Sequence, residues 1–543
     1  MKPADDIIIL GAGHNGLTCA CYLARRGMRV RVLERRDRVG GAAVTEEFHP
    51  GYRNSTASYT VSLLQEQVIE DLGLRRHGLE IVERPLGNFV PGPEGEPSLA
   101  LGPTPRDTAR ALAALSPRDA ERLPAFEAML EQGADLIRKT LLQTPPSGGG
   151  GLRDLPRLIR DARLLRHLDT EARRDLLALF SRSAGEILDE WFESDRLKAA
   201  LGFDSIVGHY ASPYTPGSAY VLLHHVFGGV NGKPGVWGHA IGGMGAISEA
   251  MAAEARRLGV SIETEAPVRA VTTEAWRGRR RVSGVELEDG RHLPTRRLAA
   301  NVNPRLLYER LMAPDDLPRS FRERIQSYRC GSGTVRMNVA LSELPRFRAR
   351  PEPGPHHGSG IIIAPDLAYM DRAWRDARDE GLAGRPVVEM VIPSTLDDSL
   401  APEGRHVASL FCQHFAPELP DGADWEDYRE TAAQRVIDAV EAFAPGFADS
   451  ILGRMTLTPA DLEARFGLVG GDIFHGVLAP DQLYSARPLL GYGDYRGPVA
   501  GLYHCGSGAH PGGGVTGAPG YNAAREILRD RRRPGWPRRP DSD

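Results

Sequence analysis

The chain has 543 residues, a net charge of −4 and 25% charged residues, so it can bury two or three cores and carries no strong field to recruit nucleic acid or an acidic partner. Its five cysteines, at 19, 21, 330, 412 and 505, form neither a disulfide framework nor a metal set, which points to a reduced compartment. No apolar run approaches the roughly 18 residues of a membrane span. The first strand pattern also leaves no room for a signal peptide, so a cytoplasmic protein is expected, with peripheral membrane contact through the basic tail 531–543 as an option.

The opening segment reads strand, glycine turn, helix, strand and acid. Ile7-Ile8-Ile9-Leu10 is a β-branched apolar run suited to a strand buried on both faces. Gly11, Gly13 and Gly16 fill G-x-G-x-x-G, which supplies a tight turn, close backbone approach to a pyrophosphate, and close helix packing. Leu17 to Arg26 follows as a helix ending at Gly27, and Val30 to Leu33 delivers Glu34 to a strand end, where its carboxylate can accept from a ribose diol. An adenine dinucleotide is the expected ligand. Arg35 and Arg36 would invite a 2′-phosphate, but Glu34 would repel it, so both are expected to be solvated. Val39-Gly40-Gly41 adds a second glycine turn. No C-x-x-C pair follows Gly41, which weighs against disulfide reduction.

Residues 1–75 thus form a first dinucleotide-binding segment, and 76–235 read as a mainly helical substrate or lid region. Within that region, Thr108 to Leu142 and Leu155 to Leu201 carry helical periodicity around a Pro/Gly hinge at Pro145 to Gly151. A second binding segment, 236–310, contains a helix opened by Gly242-Gly243-Met244-Gly245, strands at Val260 to Glu263 and Val268 to Val271, and a hairpin at Asp289-Gly290. Gly243-x-Gly245 lacks a third glycine and a ribose acid, making a poor nicotinamide site. Residues 311–465 mix strands (Val335 to Leu341, Val387 to Ile392, Val407 to Phe411) with a helix near Tyr428 to Phe443, as in an α+β substrate domain. The third segment, 466–530, runs from a strand at Val499 to Cys505 through a glycine-rich turn into a helix at Gly520 to Arg529, whose entrance offers backbone N–H groups to an anion.

The fingerprint with its Gly40-Gly41 extension and the terminal H-P-G-G-G-V-T-G-A-P-G-Y-N-A-A-R segment together resemble the phytoene desaturase-like FAD-dependent oxidoreductases. EEFHPGYRNSTASY (46–59), VLLHHVFGGVNGKPGVWGHAIGGMGAIS (221–248) and GGDIFHGVLAPDQLYSARP (470–488) resemble one branch of them. The likeness runs from Asp6 to Leu528. It implies an α/β fold: a Rossmann-like FAD-binding domain of the amine oxidase and phytoene desaturase type, an inserted α+β substrate domain and a helical lid. It also implies noncovalent FAD, since no cysteine lies in the terminal glycine run. Gly11, Gly13, Gly16, Glu34, Gly40, Gly41, Val268 (at the adenine ring), Gly506, Gly514, Val515 and Thr516 would contact the cofactor. Many relatives carry arginine after the glycine pair; here Ala42-Ala43 leave that charge to Arg38 or Arg53, or to backbone donors.

The resemblance implies hydride transfer from an apolar, isoprenoid or polyene, substrate to flavin, and the missing second nicotinamide site points to oxygen or a quinone as electron acceptor. His510, beside Pro511-Gly512-Gly513, is the first candidate for proton transfer. Asp472 and Asp481, flanking Phe474-His475-Gly476, are candidate carboxylates, and His475 a further candidate base. His209, His224, His225, His239 and His504 complete a histidine-rich set without metal spacing. Tyr59, Tyr210, Tyr214, Trp237 and Phe474 either line an apolar pocket or pack in the core. Pro511 to Gly514 contains no aromatic residue to cage an amine, and its glycines are expected to leave room for a long apolar molecule. An amine or amino-acid oxidase and a non-catalytic flavin-bound interaction protein are the alternatives.

Overall fold

Ile7, Ile8 and Ile9 are completely buried because Ile7–Leu10 is the middle strand of a five-stranded sheet with apolar packing on both faces. In the computed structural model, which describes residues 5–149 and 151–532, the strand order is Ser261–Glu263, Val30–Leu33, Ile7–Leu10, Leu298–Ala300 and Leu502–His504. All four pairings are parallel. One sheet therefore draws strands from the start, middle and end of the chain, and all its carboxyl ends point to one edge.

The first helix, His14–Ala24, starts three residues earlier than its apolar periodicity suggests, because His14 and Asn15 of the glycine turn are already helical. It packs on the terminal helix Ala518–Arg531. Gly520 permits that approach: a Cβ there would lie 2.1 Å from the Asn15 carbonyl oxygen.

The second layer is a seven-stranded sheet ordered Ile451–Leu457, Thr334–Leu341, His406–Phe415, Leu382–Val391, Gly360–Ile363, Asn88–Val90 and Leu99–Ala100. Val335, Met337 and Val339 pack towards helix Trp425–Glu441, while Phe411, Val387 and Ile362 pack against the helices between 117 and 226. The last two strands come from the stretch expected to be helical. Phe89, Val90 and Leu99 are buried apolar residues flanking a proline-broken segment, which cannot nucleate a helix but can extend a sheet edge. The helical region itself holds Pro117–Leu141, Leu155–Arg166, Thr170–Ser181, Ala184–Trp191, Asp195–Phe203 and Ser218–Val226. Among the described residues no helix is long and apolar enough to cross a membrane.

Candidate cofactor cavity and active site

A cavity of about 380 Å3 opens at the carboxyl ends of the first two strands. Gly11, Gly13, Glu34, Gly41 and Val268 line it, joined by His475 and Ser507 from the other end of the chain. The Glu34 carboxylate accepts from the backbone N–H of Ala12 (2.8 Å) and of Arg36 (3.0 Å), so it braces the glycine turn while facing the cavity. Gly16 and Gly506 stand behind the wall. A Cβ on Gly16 would sit 2.2 Å from the Gly11 carbonyl oxygen, and one on Gly506 would sit 2.9 Å from Asn301 Oδ1. Gly40, with φ +120, bridges to Gly13.

The two glycine turns meet. Asn15 Nδ2 donates to Ser507 Oγ at 3.1 Å, and the His14 ring bonds the backbone of Gly514. Thr516 holds the far side: its carbonyl accepts from Gln65 N–H at 3.1 Å, and its hydroxyl accepts from Ala518 N–H at 3.1 Å. Gly514, Val515 and Thr516 thus build the entrance to the terminal helix without lining the cavity.

Sequence reasoning missed Asn301, which follows strand Leu298–Ala300 and donates from Nδ2 to the Gly11 carbonyl at 3.3 Å. Its position at a parallel-strand end was the available signal. The arginines differ from expectation as well. Arg36 is not solvated: it pairs with Glu46 at 2.8 Å, lies 5.0 Å over the Phe466 ring and lines the cavity. Arg38 and Arg53 are exposed and outside the lining; Arg35, exposed as expected, borders the cavity, and Arg269, Arg310 and Arg465 bring the remaining positive charge.

Four atoms on cavity-lining residues, His14 Nε2, Asn15 Oδ1, Arg36 Nη1 and His475 Nδ1, are buried without a protein partner. Unpaired buried polar atoms are costly, so a cradle holding four of them suits a ligand with complementary groups. The pyrophosphate and ribose of FAD supply both donors and acceptors, and the glycine backbone leaves room for them. FAD is the cofactor, and none of the five cysteines lines the cavity to form a covalent link.

The candidate catalytic residues separate. His475 lies in the cavity, in the left-handed region at φ +58; burial, with the Arg487 charge and His14 adding, pulls its pKa down to about 3. Asp472 lies behind it. Its carboxylate accepts from Gly331 N–H and Phe474 N–H, both at 2.8 Å, and burial pushes its pKa up. Asp481 is excluded from the site, since it is exposed and pairs with Arg329 at 2.6 Å.

His510 faces elsewhere. It borders a second cavity, of about 230 Å3, walled by Ile137, Leu141, Leu164, Phe180, Tyr220 and Phe227. Its Nε2 donates to the Thr140 carbonyl at 3.0 Å, and burial pulls its pKa down to about 4. The Tyr484 ring meets it edge-on at 5.0 Å.

Arg487 gave no sequence signal. Fully buried, it donates to the carbonyls of Phe474 (2.6 Å), Gly476 (3.2 Å), Val477 (3.4 Å), Gln482 (3.3 Å) and Ser507 (2.9 Å). One guanidinium fork therefore gathers the loop carrying His475 and the terminal glycine run. Gly513 does not leave open space. Phe474 fills it, and a Cβ there would lie 2.3 Å from the ring.

The other histidines and aromatics take structural places. His224 meets Phe474 edge-on at 5.3 Å, while His225 stacks on Trp237 at 6.0 Å. His239 bonds Asp397 at 2.9 Å, and His504 Nε2 lies 2.6 Å from Tyr308 Oη. His209 is pulled down to about 4 by burial, and Tyr210 packs against Gly333. Tyr214 is exposed and bonds Asp189 at 2.9 Å. Tyr59 stacks on Phe411 at 5.4 Å and bonds Glu389. Among the described residues no His, Cys, Asp or Glu cluster is arranged to hold a metal ion.

Residues 16–336 match the family described as flavin containing amine oxidoreductase. The chain is 42% identical to pyridine nucleotide-disulfide oxidoreductase domain-containing protein 2 of Rattus norvegicus, over 98% of this chain and 94% of that protein. It is 26% identical to the neurosporene-forming phytoene desaturase of Rhodobacter capsulatus, over 94% and 91% respectively. Among solved structures, a redesigned putrescine oxidase superimposes with a TM-score of 0.58 at 16% identity, covering 97% of this chain and 98% of that one.

Proposed function

Because the chain belongs to the family of flavin-containing amine oxidoreductases, we propose that it is an FAD-dependent dehydrogenase, desaturase or isomerase of an apolar, isoprenoid or polyene, molecule. The observation that carries this reading is the cavity of about 230 Å3, whose apolar walls end on His510 and Pro511 of the terminal glycine run. Its charged group, Asp161, is engaged by Tyr484 Oη at 2.8 Å, so a free cation finds no open carboxylate there. The likeness to a phytoene desaturase supports the same substrate class.

FAD, when bound, accepts the hydride. The chain's own residues hold and shield it. Glu34 would hold the ribose, and the His14–Ala24 helix start, Asn15 and Ser507 would hold the pyrophosphate. His475 is neutral at physiological pH and offers its unpartnered Nδ1 as a hydrogen-bonding atom in the cavity, its lowered pKa suiting it to positioning a group and not to taking up a proton. Asp472 is a positioning residue, holding the Phe474 and Gly331 N–H groups. Phe474 and His224 exclude water beside Gly513. His510, fixed through Thr140, is a neutral wall of the substrate cavity.

Oxygen or a quinone is the proposed electron acceptor. The Gly243-x-Gly245 turn is filled by packing, since Cβ atoms there would lie 2.4 Å from Thr45 Oγ1 and 2.7 Å from Thr45 N. This packing supports reading the turn as structural, in line with an acceptor other than a nicotinamide dinucleotide.

A second reading, an amine or amino-acid oxidase, is favoured by Phe474, which supplies an aromatic face where the glycine run has none. Anaerobic titration with apolar isoprenoids and, separately, a panel of amines distinguishes the two through bleaching of the bound flavin. Bleaching by isoprenoids supports the first reading; bleaching by amines alone overturns it.

A further inference from the structure

Helix Leu155–Arg166 has its polarity reversed. Leu155 (49%), Leu158 (51%), Ile159 (42%) and Leu165 (46%) are exposed, and their spacing places them on one helical face. The opposite face is charged and points into the protein. Arg157 reaches Asp154 and Glu526 (both 3.3 Å), Arg160 reaches the Thr144 carbonyl (3.2 Å) and Tyr484 Oη (2.9 Å), and Asp161 accepts from Tyr484 Oη (2.8 Å). These inward contacts fix the helix rotation, so the leucines cannot turn inside.

Two more large apolar side chains are exposed in the flanking segments. Leu152 precedes it at 87% exposure, and Leu177 on the neighbouring helix Thr170–Ser181 is 68% exposed. Such a concentration marks an interaction surface. Arg163 and Arg166 are exposed on the same helix, and neither makes an ion pair or hydrogen bond among the described residues. Two unpaired guanidinium groups beside a leucine face complement anionic headgroups above acyl chains. Leu165 belongs both to the exposed face and to the wall of the cavity of about 230 Å3 that ends on His510 and Pro511.

We propose that helix Leu155–Arg166, with Leu152 and Leu177, docks in the interfacial layer of an anionic bilayer, so that the cavity beside Leu165 takes apolar molecules directly from lipid. The cargo rests on the apolar-substrate reading; the docking does not.

The test is co-sedimentation of the full-length FAD-loaded protein with phosphatidylcholine vesicles, with and without phosphatidylglycerol. Three proteins are compared: wild type, Leu155→Ser/Leu158→Ser/Ile159→Ser, and Arg163→Gln/Arg166→Gln. Flavin absorbance and circular dichroism check that these surface variants fold. The wild type is expected to pellet with anionic vesicles, the leucine variant to stay in solution, and the arginine variant to bind about thirtyfold more weakly. Wild type remaining in solution, or variants binding as wild type does, overturns the proposal. So does a wild-type dimer that the leucine substitutions convert to monomer. If vesicle binding holds but no apolar compound reduces the flavin, the substrate reading alone fails.

Discussion

Asn15 and Ser507 are hydrogen-bonded at 3.1 Å although 492 positions separate them in the chain. The bond ties the start of helix His14–Ala24 to the terminal glycine run, and both residues line the cofactor cavity. His14 repeats the link through the Gly514 backbone. Closing the cavity is thus the same event as docking the last helix on the first.

That docking depends on Gly520. Gly520→Ala would drive a Cβ to 2.1 Å from the Asn15 carbonyl oxygen, so it is expected to cost several kcal/mol and release the flavin. Gly27→Ala is the control. Gly27 has φ +74 but nothing within 4 Å of an added Cβ, so only the backbone penalty of about 1–2 kcal/mol applies, with flavin retained. Thermal melts with flavin fluorescence separate the two; equal flavin loss in both variants would contradict the packing argument.

Glu34→Ala should weaken FAD binding about ten- to a hundredfold, the worth of one charge-assisted hydrogen bond. Glu34→Gln keeps an acceptor for the Ala12 N–H and should fall between wild type and alanine. Fluorescence titration of the apoprotein measures both affinities.

Arg487→Lys should destabilise the protein by about 2–4 kcal/mol despite conserving charge. An ammonium group has three donors, whereas the guanidinium reaches the carbonyls of Phe474, Gly476, Val477, Gln482 and Ser507. Urea unfolding measures the loss, and an unchanged midpoint would show that water replaces these bonds.

His475 and His510 are held neutral, with pKa values near 3 and 4, against about 6.5 in an unfolded chain. Between pH 6.5 and 4 the unfolded chain therefore binds protons that the folded chain does not. Stability rises with pH across this window and is lost as pH falls through it. His510→Gln keeps a donor for the Thr140 carbonyl and should flatten the slope by up to about 1.4 kcal/mol per pH unit. Urea midpoints at a series of pH values test this; parallel slopes for variant and wild type would refute it.

The dinucleotide fingerprint was legible in the sequence because each part is a local requirement. Gly11 and Gly41 have φ +90 and +56, and Glu34 follows its strand directly. Asn301 was only partly legible, because the backbone it braces, at Gly11, lies 290 positions away. Arg487 was not legible, because the carbonyls it gathers belong to irregular loop backbone that follows no helix or strand period. The loss of open space above Gly513 likewise needed Phe474, which comes from a separate loop.

The sequence by itself determined the parallel-sheet fold, the dinucleotide chemistry and the helical periodicity within residues 155–201, since strand runs, glycine turns and helical spacing are short-range properties. Only the tertiary structure decided which face of helix Leu155–Arg166 points outward, which arginines enter the cofactor cavity, and that His475 and His510 serve different cavities. Periodicity defines two faces of a helix but not which one the rest of the protein covers. That choice is made by partners such as Glu526 and Tyr484, hundreds of residues away.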